Sequence, residues 1–490
     1  MRKPAIMVQA TNSDAGKSLL VAGLCRHFAR TGLAVRPFKP QNMSNNAAVA
    51  EDGRGEIGRA QALQAKAART PSSVHMNPVL LKPESECGSQ VILQGRRAGR
   101  LHARDFREAR PRLLQAAVES FALLEDDADL LIVEGAGSAS EVNLRAGDIA
   151  NMGFAAAADL PVILTGDVER GGLIASLVGT HALLSGDDGS RVRGFVVNKF
   201  RGDPSLFVDA LALVEERTGW PGLGIVPWFA DARSLPAEDA LGLVSARRAD
   251  AALRVAVPQF ARIANFDDLD PLGLEAEVDL VIVPPGEPLP VCDLVVLCGS
   301  KSTIADLALL RREGWDVDLL AHRRRGGRIL GLCGGMQMLG RRIADPDGIE
   351  GPAGAVAGLG LLDIETELRG EKTVRAVAGR HLASGAPVTG YEIHLGVTTG
   401  ADLDRPWLEF DGRAEGALSA DGRVAGTYVH GLFTGDAFRC AWLAELAPGR
   451  ASGLRYDDTV DRSLDALADH LAAHLDMERI ITIARSRVPG

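Results

Sequence analysis

The chain has 490 residues, 46% of them hydrophobic and 24% charged, and a formal net charge of −10 at pH 7. This length exceeds one ordinary hydrophobic core and predicts two or three domains. The acidic charge, without a basic patch interleaved with aromatics, argues against a nucleic-acid partner. No apolar run approaches the roughly 20 residues of a membrane-spanning helix, and the first apolar run is too short for a signal peptide. A cytoplasmic protein is therefore predicted.

The cysteines contain no CxxC pair, which argues against a zinc site. In a cytosolic chain they are predicted to be free thiols, most of them small core residues. The six are Cys25, Cys87, Cys292, Cys298, Cys333 and Cys440.

Short apolar runs alternate with helical patterns, which predicts an α/β fold with buried parallel strands. One series of strands is predicted at Ile6–Val8, Leu130–Val133, Pro161–Leu164 and Gly194–Val197. A second series is predicted at Val255–Val257, Val281–Val283, Leu294–Leu297 and Arg328–Leu330. Between the two series, residues 231–252 are rich in Ala, Asp, Glu and Arg and show no clear strand. The predicted division is a domain over 1–235, a linker over 236–251, a domain over 252–440 and an extension over 441–490. A helical pattern is predicted over about 463–484.

The first predicted strand runs into a Gly-Lys-Ser turn and an apolar helix that ends near Gly32. Backbone N–H groups at such a helix start bind phosphate. Lys17 is predicted to reach the β- and γ-phosphates and Ser18 to hold Mg²⁺. The alternative is a chance turn with an exposed lysine, and Thr11 stands where the usual first glycine would fall. The predicted ATP-binding residues of the loop are Thr11, Asn12, Ser13, Asp14, Ala15, Gly16, Lys17 and Ser18.

Two further strand ends carry charged residues. Glu134 ends a buried strand and is followed by Gly-Ala-Gly. Because ligands of open α/β sheets gather at the carboxyl ends of strands, Glu134 is predicted as a second Mg²⁺ ligand. A plain surface strand end is the alternative. Lys39 follows another strand and is predicted to face either a phosphate or a substrate carboxylate, with ordinary surface charge equally open.

Cys333 lies between the strand Arg328–Leu330 and a helical pattern, with glycines close on both sides. This pattern predicts a nucleophile elbow, a sharp turn that exposes the side chain at a helix N-terminus. A buried structural cysteine is the alternative. A cysteine nucleophile needs an imidazole partner. His430, at the end of a downstream strand, is the predicted base, and His394 is the competitor. Oxyanion-hole N–H groups are predicted from Gly299, Ser300 and Gly334.

Taken together, these motifs resemble the cobyric acid synthase family of glutamine-hydrolysing enzymes, over nearly the whole chain. The first two of the following blocks separate that family from its relatives. The matching blocks are Gln41–Asn46, Gly55–Gln61, Met76–Pro83, Glu134–Ser138, Asn143–Arg145, Asp148–Gly153, Asn198–Asp203, Asn265–Leu272, Gly299–Lys301, Gly331–Gln337 and Tyr428–Phe433.

The resemblance implies a dethiobiotin-synthetase-like phosphate-loop domain followed by a class I glutamine amidotransferase domain of flavodoxin-like fold. It implies that Cys333 is the nucleophile and His430 its partner. It also implies a ligase that uses ATP, Mg²⁺ and glutamine, without a tightly bound prosthetic group. The implied reaction amidates the b, d, e and g carboxylates of adenosylcobyrinic acid a,c-diamide to give adenosylcobyric acid. Such an enzyme has no nucleic-acid or membrane partner, and a homo-oligomer remains open.

The chain departs from the family pattern at two positions. Ala10 stands where relatives commonly have glycine, and Cys298 where many have proline. As elsewhere in the family, Leu432 stands where most class I glutaminases carry a glutamate, two residues after the histidine. The residue that orients His430 is therefore not predicted.

A large acid substrate needs cationic contacts, for which Arg59, Lys82 and Arg145 are candidates. For each of them, an ordinary surface charge is nearly as good an explanation.

The nearest rival function is amidation of another acid, as in cobyrinic acid a,c-diamide synthase. A partitioning ATPase switch fits less well because such switches carry a lysine early in the phosphate loop and have no cysteine elbow. A scaffold without activity would not need Lys17, Cys333 and His430 together.

Overall fold

The structure is a computed structural model that describes residues 2–84, 88–238, 243–449 and 452–486. Cys87 and residues 239–242 of the predicted linker lie outside the described residues. The cysteines at 25, 292, 298, 333 and 440 are free thiols, as predicted. The described helices include none that is both long enough and apolar enough to cross a membrane.

The amino-terminal half is built on a six-stranded parallel sheet. In spatial order its strands are Gly222–Pro227, Val192–Phe200, Val162–Asp167, Ala5–Ala10, Leu130–Glu134 and Val35–Phe38. The four strands predicted for this half are confirmed. They read as continuous apolar runs because buried apolar clusters cover both faces of the sheet.

Helices and small sheets surround this first sheet. The helices of this half are Lys17–Arg30, Arg59–Ala67, Phe106–Asp126, Met152–Ala157, Leu173–Leu183, Gly186–Arg191 and Val208–Thr218. A four-stranded sheet comprises Gln41–Met43, Val79–Pro83, Gly88–Leu93 and Arg96–His102, and a strand pair comprises Ala47–Val49 and Glu56–Gly58. The four-stranded sheet and the strand pair contribute Ala47, Leu80 and Ile92 to an apolar cluster with Tyr391 and Ile393, so they help to form the contact between the two halves.

The carboxy-terminal half has its own doubly wound sheet. Its strands in spatial order are Val278–Val283, Leu253–Pro258, Leu294–Leu297, Arg328–Leu332, Val424–Thr427 and Ala417–Leu418, the last one antiparallel. When the strands of this sheet are numbered along the chain, the spatial order begins with the second strand, followed by the first, third and fourth. This is the flavodoxin-like arrangement. The predicted fold class, two parallel α/β sheets in series, is confirmed. The predicted boundaries at 235, 251 and 440 remain predictions.

A seven-stranded sheet lies beside the second doubly wound sheet. It consists of Gly354–Ala357, Arg342–Asp345, Glu365–His381, Pro387–Thr399, Val429–His430, Leu408–Phe410 and Arg413–Glu415. A short antiparallel pair joins Ile263–Ala264 to Gly299–Ser300. The helices of this half are Asp270–Leu274, Thr303–Arg312, Trp315–Arg324, Gly334–Leu339 and Asp436–Leu446.

The chain then returns to the first sheet. The helices Tyr456–His474 and Met477–Arg485 pack with the helix Lys17–Arg30 in one apolar cluster. A Cβ at Gly23 would lie 2.4 Å from Cδ1 of Leu471, so the helices are in close contact there. The helical pattern predicted over 463–484 is interrupted because Leu475 is extended and forms a bridge with Gly224.

Candidate active sites

The predicted phosphate loop lies at the carboxyl end of the strand Ala5–Ala10, with Lys17 as the first residue of the following helix. Gly16 has φ 85°, and a Cβ there would lie 2.4 Å from Nδ2 of Asn198. Asn198 donates to the Ala15 carbonyl at 2.8 Å. The turn therefore requires glycine at this position, both for its backbone conformation and for the close approach of Asn198.

The structure brings Lys17, Ser18 and Glu134 together. Lys17 is buried and its Nζ donates to the Gly137 carbonyl at 2.9 Å. Burial lowers the pKa of Lys17, although the Glu134 charge opposes this shift. Ser18 Oγ donates to Oε1 of Glu134 at 2.9 Å. A hydroxyl and a carboxylate oxygen are ligands that Mg²⁺ prefers, so this pair fits the predicted metal site.

Lys39 belongs to the same cluster. Its Nζ donates to Oε1 of Glu134 at 2.8 Å and also contacts Glu238. Burial would lower the pKa of Lys39, but the two carboxylates raise it above its usual range. Glu238 also accepts from Ser18. The sequence did not single out Glu238 because it lies in the acid-rich stretch predicted as a linker.

A cavity of about 1610 Å³ opens beside this cluster, and Lys17, Ser18, Lys39 and Glu134 line it. Arg145 also lines the cavity, where Asp188 pairs with its guanidinium at 2.7 and 2.9 Å. The other two candidate carboxylate contacts are elsewhere. Arg59 forms an ion pair with Asp267, and Lys82 forms one with Glu56.

The second site is the turn around Cys333, between the strand Arg328–Leu332 and the helix Gly334–Leu339. Cys333 has φ 51°, a strained conformation for a residue with a Cβ. A Cβ at Gly335 would lie 2.0 Å from the Leu297 carbonyl oxygen, so this turn packs too closely for any other residue there. The strained cysteine between a strand and a helix is the geometry of a nucleophile elbow.

His430 and Cys333 line the same small cavity, where the Cys333 thiol donates to the Ile393 carbonyl at 3.6 Å. Nδ1 of His430 donates to Oδ2 of Asp268 at 2.6 Å, and the Gly431 N–H donates to Oδ1 of the same carboxylate at 2.6 Å. Burial alone would lower the pKa of His430, but Asp268 and Cys333 raise it to about 10. His430 is therefore an imidazolium at neutral pH, and its charge stabilises negative charge on the Cys333 sulfur.

His394 lines the same small cavity of about 50 Å³ as Cys333 and His430. Its ring stacks on that of Tyr428 with centroids 3.8 Å apart. Burial lowers the pKa of His394 to about 4, so this ring is neutral at physiological pH. The two histidines thus differ in charge and in their contacts with the cysteine.

The three predicted oxyanion-hole residues lie around the same cavity. A Cβ at Gly334 would lie 2.9 Å from the backbone nitrogen of Ser300, so these two backbones approach closely. A Cβ at Gly299 would lie 3.1 Å from Cε1 of His430. The lack of a side chain at Gly299 and Gly334 therefore lets the turn after Cys333, the backbone at Ser300 and the His430 ring approach one another closely.

Asp268 was not predicted as a functional residue. It lies in the Asn265–Leu272 block that supports the family resemblance, but a buried aspartate far along the chain carries no local signal for pairing with His430. The one available hint was Leu432, which showed that the acid after the histidine is missing.

Two family models match the chain. Residues 6–241 match a CobQ/CobB/MinD/ParA nucleotide binding domain, and residues 254–438 match a CobB/CobQ-like glutamine amidotransferase domain. This chain is 60% identical to each of three proteins named cobyric acid synthase, from Methylorubrum populi, Methylobacterium nodulans and Cereibacter sphaeroides. These matches cover 98%, 99% and 98% of this chain and 99%, 100% and 100% of the relatives.

Proposed function

The chain belongs to the cobyric acid synthase family, and from that premise we propose how its two sites carry out glutamine-dependent amidation in cobalamin biosynthesis. ATP and glutamine are its substrates. The proposed acceptor is adenosylcobyrinic acid a,c-diamide, amidated at its b, d, e and g carboxylates. The large cavity beside the phosphate loop supports this proposal, since it has room for nucleotide and a bulky acid next to each other.

In the amino-terminal site, the substrate carboxylate attacks the γ-phosphorus of ATP, the bond to ADP breaks, and an acyl phosphate forms. This step is needed because a carboxylate is a poor acyl donor, whereas phosphate is a good leaving group. Lys17 would neutralise charge that develops on the transferring phosphoryl group. Ser18 and Glu134 would hold Mg²⁺, which when bound offsets phosphate charge. Ammonia then displaces phosphate from the acyl carbon to give the amide.

In the carboxy-terminal site, the Cys333 thiolate attacks the side-chain amide carbon of glutamine. The C–N bond breaks, the His430 imidazolium gives its proton to the departing nitrogen, and ammonia and a thioester result. Neutral His430 then accepts a proton from water as the water hydrolyses the thioester to glutamate. Asp268 would hold Nδ1 throughout, in the way a triad carboxylate fixes the ring orientation.

Ammonia must then pass from one site to the other before water protonates it. Two segments border both cavities. Gln41, Asn42 and Met43 line the large cavity, whereas Asn45 lines the Cys333 cavity. Similarly, Phe266 lines the large cavity, whereas Ala264 and Asn265 line the small one.

These two segments are joined by a hydrogen bond in which the Phe266 N–H donates to Oδ1 of Asn46 at 3.3 Å. Among the described residues, the buried Oδ1 of Asn45 has no hydrogen-bond partner. An amide oxygen in that state can accept a hydrogen bond from ammonia. We therefore place the proposed ammonia path between Asn45 and Asn265, through the partition that the two segments form.

The observation that carries the proposed function is that Cys333 and the His430–Asp268 pair lie together on one side of this partition, with Lys17, Ser18 and Glu134 on the other. The test is incubation with ATP, Mg²⁺, glutamine and candidate corrinoid acids, followed by mass spectrometry. Successive mass changes for four amides on the a,c-diamide are expected. Amidation of cobyrinic acid at a and c instead would identify the rival reaction. Mg²⁺ binding and a cytoplasmic location are part of this proposal. Whether the protein forms a homo-oligomer remains open.

A further inference from the structure

Arg59 extends from the amino-terminal half into the carboxy-terminal half. It is the first residue of the helix Arg59–Ala67, and its Nη2 lies 2.7 Å from Oδ2 of Asp267. The same nitrogen contacts the Tyr391 hydroxyl and donates to the Ala47 carbonyl at 3.2 Å. Its Cζ lies 5.3 Å from the centroid of the Tyr391 ring. One buried guanidinium therefore holds two residues of the other half.

Both of those residues are next to the base of the glutamine site. Asp267 immediately precedes Asp268, which accepts the hydrogen bond from Nδ1 of His430. Tyr391 is opposite His430 in the antiparallel strand pair, and their rings stack with centroids 5.5 Å apart and an interplanar angle of 24°. His430 is thus fixed at one nitrogen by Asp268 and on one ring face by Tyr391, and Arg59 contacts Tyr391 directly and Asp268 only through its chain neighbour Asp267.

We propose that Arg59 is a positioning residue for His430, so that glutamine hydrolysis requires the amino-terminal half to be docked. This inference rests on the proposed role of His430 as the proton-transfer group. Its consequence is that ammonia is released efficiently only when the ATP-binding half is in place to receive it. The wasteful reaction, hydrolysis of glutamine without a docked acceptor site, would be suppressed by misalignment of the histidine.

The chemistry of the guanidinium fits this role. All three contacts are made by Nη2, at one end of a planar guanidinium fork that lies against the Tyr391 ring, and a lysine ammonium on a flexible stem does not reproduce that placement. Burial raises the pKa of Asp267, and the Arg59 charge opposes that shift. Without Arg59, two neighbouring buried carboxylates, Asp267 and Asp268, would lack their common cation, and the segment that carries Asp268 would have to rearrange.

The test is Arg59→Met, with glutamine hydrolysis and ammonia-dependent amidation measured on the same preparation. A displacement of the base by about 1 Å can cost on the order of 100-fold in rate. We expect kcat for glutamine hydrolysis to fall about 10- to 100-fold, with KM for glutamine little changed and ammonia-dependent amidation retained. Arg59→Lys should recover only part of the loss, since the charge returns without the fork.

Arg26→Met is the matched control. Arg26 is another ion-paired arginine of the same half, with a side chain 3% exposed against 17% for Arg59, but its ion pairs are with Asp461 and Asp465 of the carboxy-terminal helix Tyr456–His474. Its loss should leave the ratio of the two activities unchanged. If Arg59→Met does not fold, Tyr391→Phe replaces it. That variant keeps the ring stacked on His430 and removes the hydroxyl that Arg59 contacts, and a smaller loss confined to glutamine hydrolysis is expected.

Unchanged kcat for glutamine hydrolysis in Arg59→Met, or in Tyr391→Phe where that variant takes its place, would overturn the inference. So would a parallel loss of ammonia-dependent amidation, because that result would place Arg59 in the ATP-dependent step. His430→Ala separates this outcome from failure of the proposed function. If His430→Ala still hydrolyses glutamine, the base itself is misassigned. If it does not, while Arg59→Met hydrolyses glutamine normally, only the positioning role is wrong.

Discussion

Asp268 accepts a hydrogen bond from Nδ1 of His430 at 2.6 Å, although 162 positions separate the two residues in the chain. Both side chains are 2% exposed, so water does not weaken this contact. The carboxylate that orients the histidine therefore comes from the loop that follows the first strand of the carboxy-terminal half. Asp268 thus supplies a carboxylate to the histidine, whereas Leu432, two residues after His430, has none.

We expect Asp268→Asn to lower kcat for glutamine hydrolysis by on the order of 100-fold or more, because the amide cannot fix the tautomer or stabilise the imidazolium. The measurement is steady-state glutaminase activity. Asp270→Asn is the control, since it makes the same change at a nearby carboxyl group whose pKa burial raises well above its usual range. Equal activities of Asp268→Asn and the parent enzyme would show that Asp268 does not orient the base.

The same ion pair predicts a pH dependence of stability. The folded-state pKa of His430, about 10, is above its usual value of 6.5. The pair therefore contributes fully to the free energy of unfolding below pH 6.5, and this contribution is lost as the pH rises towards 10. Urea unfolding of the parent and Asp268→Asn should show a stability difference that shrinks across that interval. A difference that grew with pH would contradict the assignment.

His430→Ala is expected to remove most glutaminase activity, whereas His394→Ala should leave the glutamine thioester able to form. The reason is that His430 is charged and paired with Asp268, whereas His394 is neutral because burial lowers its pKa to about 4. Trapping of the thioester from labelled glutamine distinguishes the two variants. The reverse pattern would make His394 the base.

Much of the molecule could be predicted from sequence because its signals are local. Strands buried on both faces read as continuous apolar runs, and the elbow is visible from the glycines around Cys333. Contacts between distant segments leave no such signal. Asp268 and Arg59 each lie in a motif that was noticed. The pairing of Asp268 with His430 becomes apparent only when the carboxy-terminal half folds, and that of Arg59 with Asp267 only when the two halves pack together. Glu238 could not be predicted as a site residue, since nothing in the sequence distinguishes it from the other acidic residues of its stretch.

The proposed metal site can be tested at Glu134. Glu134→Gln should strongly reduce amide formation with either glutamine or ammonia, because a neutral amide is a weaker Mg²⁺ ligand than a carboxylate. The measurement is product formation over a range of Mg²⁺ concentrations. We expect the loss to be greatest when Mg²⁺ is scarce. Turnover equal to that of the parent enzyme at limiting Mg²⁺ would remove Glu134 from the site.

The ammonia path can be tested at Asn45. Asn45→Leu should leave glutamine hydrolysis and ammonia-dependent amidation in place, while fewer amides form for each glutamine hydrolysed. A branched apolar side chain would narrow the partition and remove the unpaired amide oxygen. Val49→Leu, in the neighbouring strand Ala47–Val49, is the control for added bulk and should keep the parent ratio. An unchanged ratio in Asn45→Leu would move the path elsewhere.

The division of labour between the halves gives the last prediction. Cys333→Ala should abolish glutamine-dependent amidation, since no thioester can form. Added ammonium salt at raised pH should then restore product, because the acyl phosphate accepts ammonia from any source. Product formation is followed by mass spectrometry with each nitrogen source. A Cys333→Ala protein that stayed active with glutamine would refute its role as the nucleophile.

Lys17→Ala should give the opposite pattern. Without this charge, transfer of the γ-phosphoryl group is not stabilised and the carboxylate is not activated, so neither glutamine nor ammonia should support synthesis. Because Lys17 lies in the other half from Cys333, its loss should leave basal glutamine hydrolysis measurable unless the two sites are tightly coupled. Full ammonia-dependent synthesis by Lys17→Ala would mean that ATP is used at another site. Loss of synthesis with both nitrogen sources, with glutaminase retained, would place carboxylate activation in the amino-terminal half and ammonia release in the carboxy-terminal half.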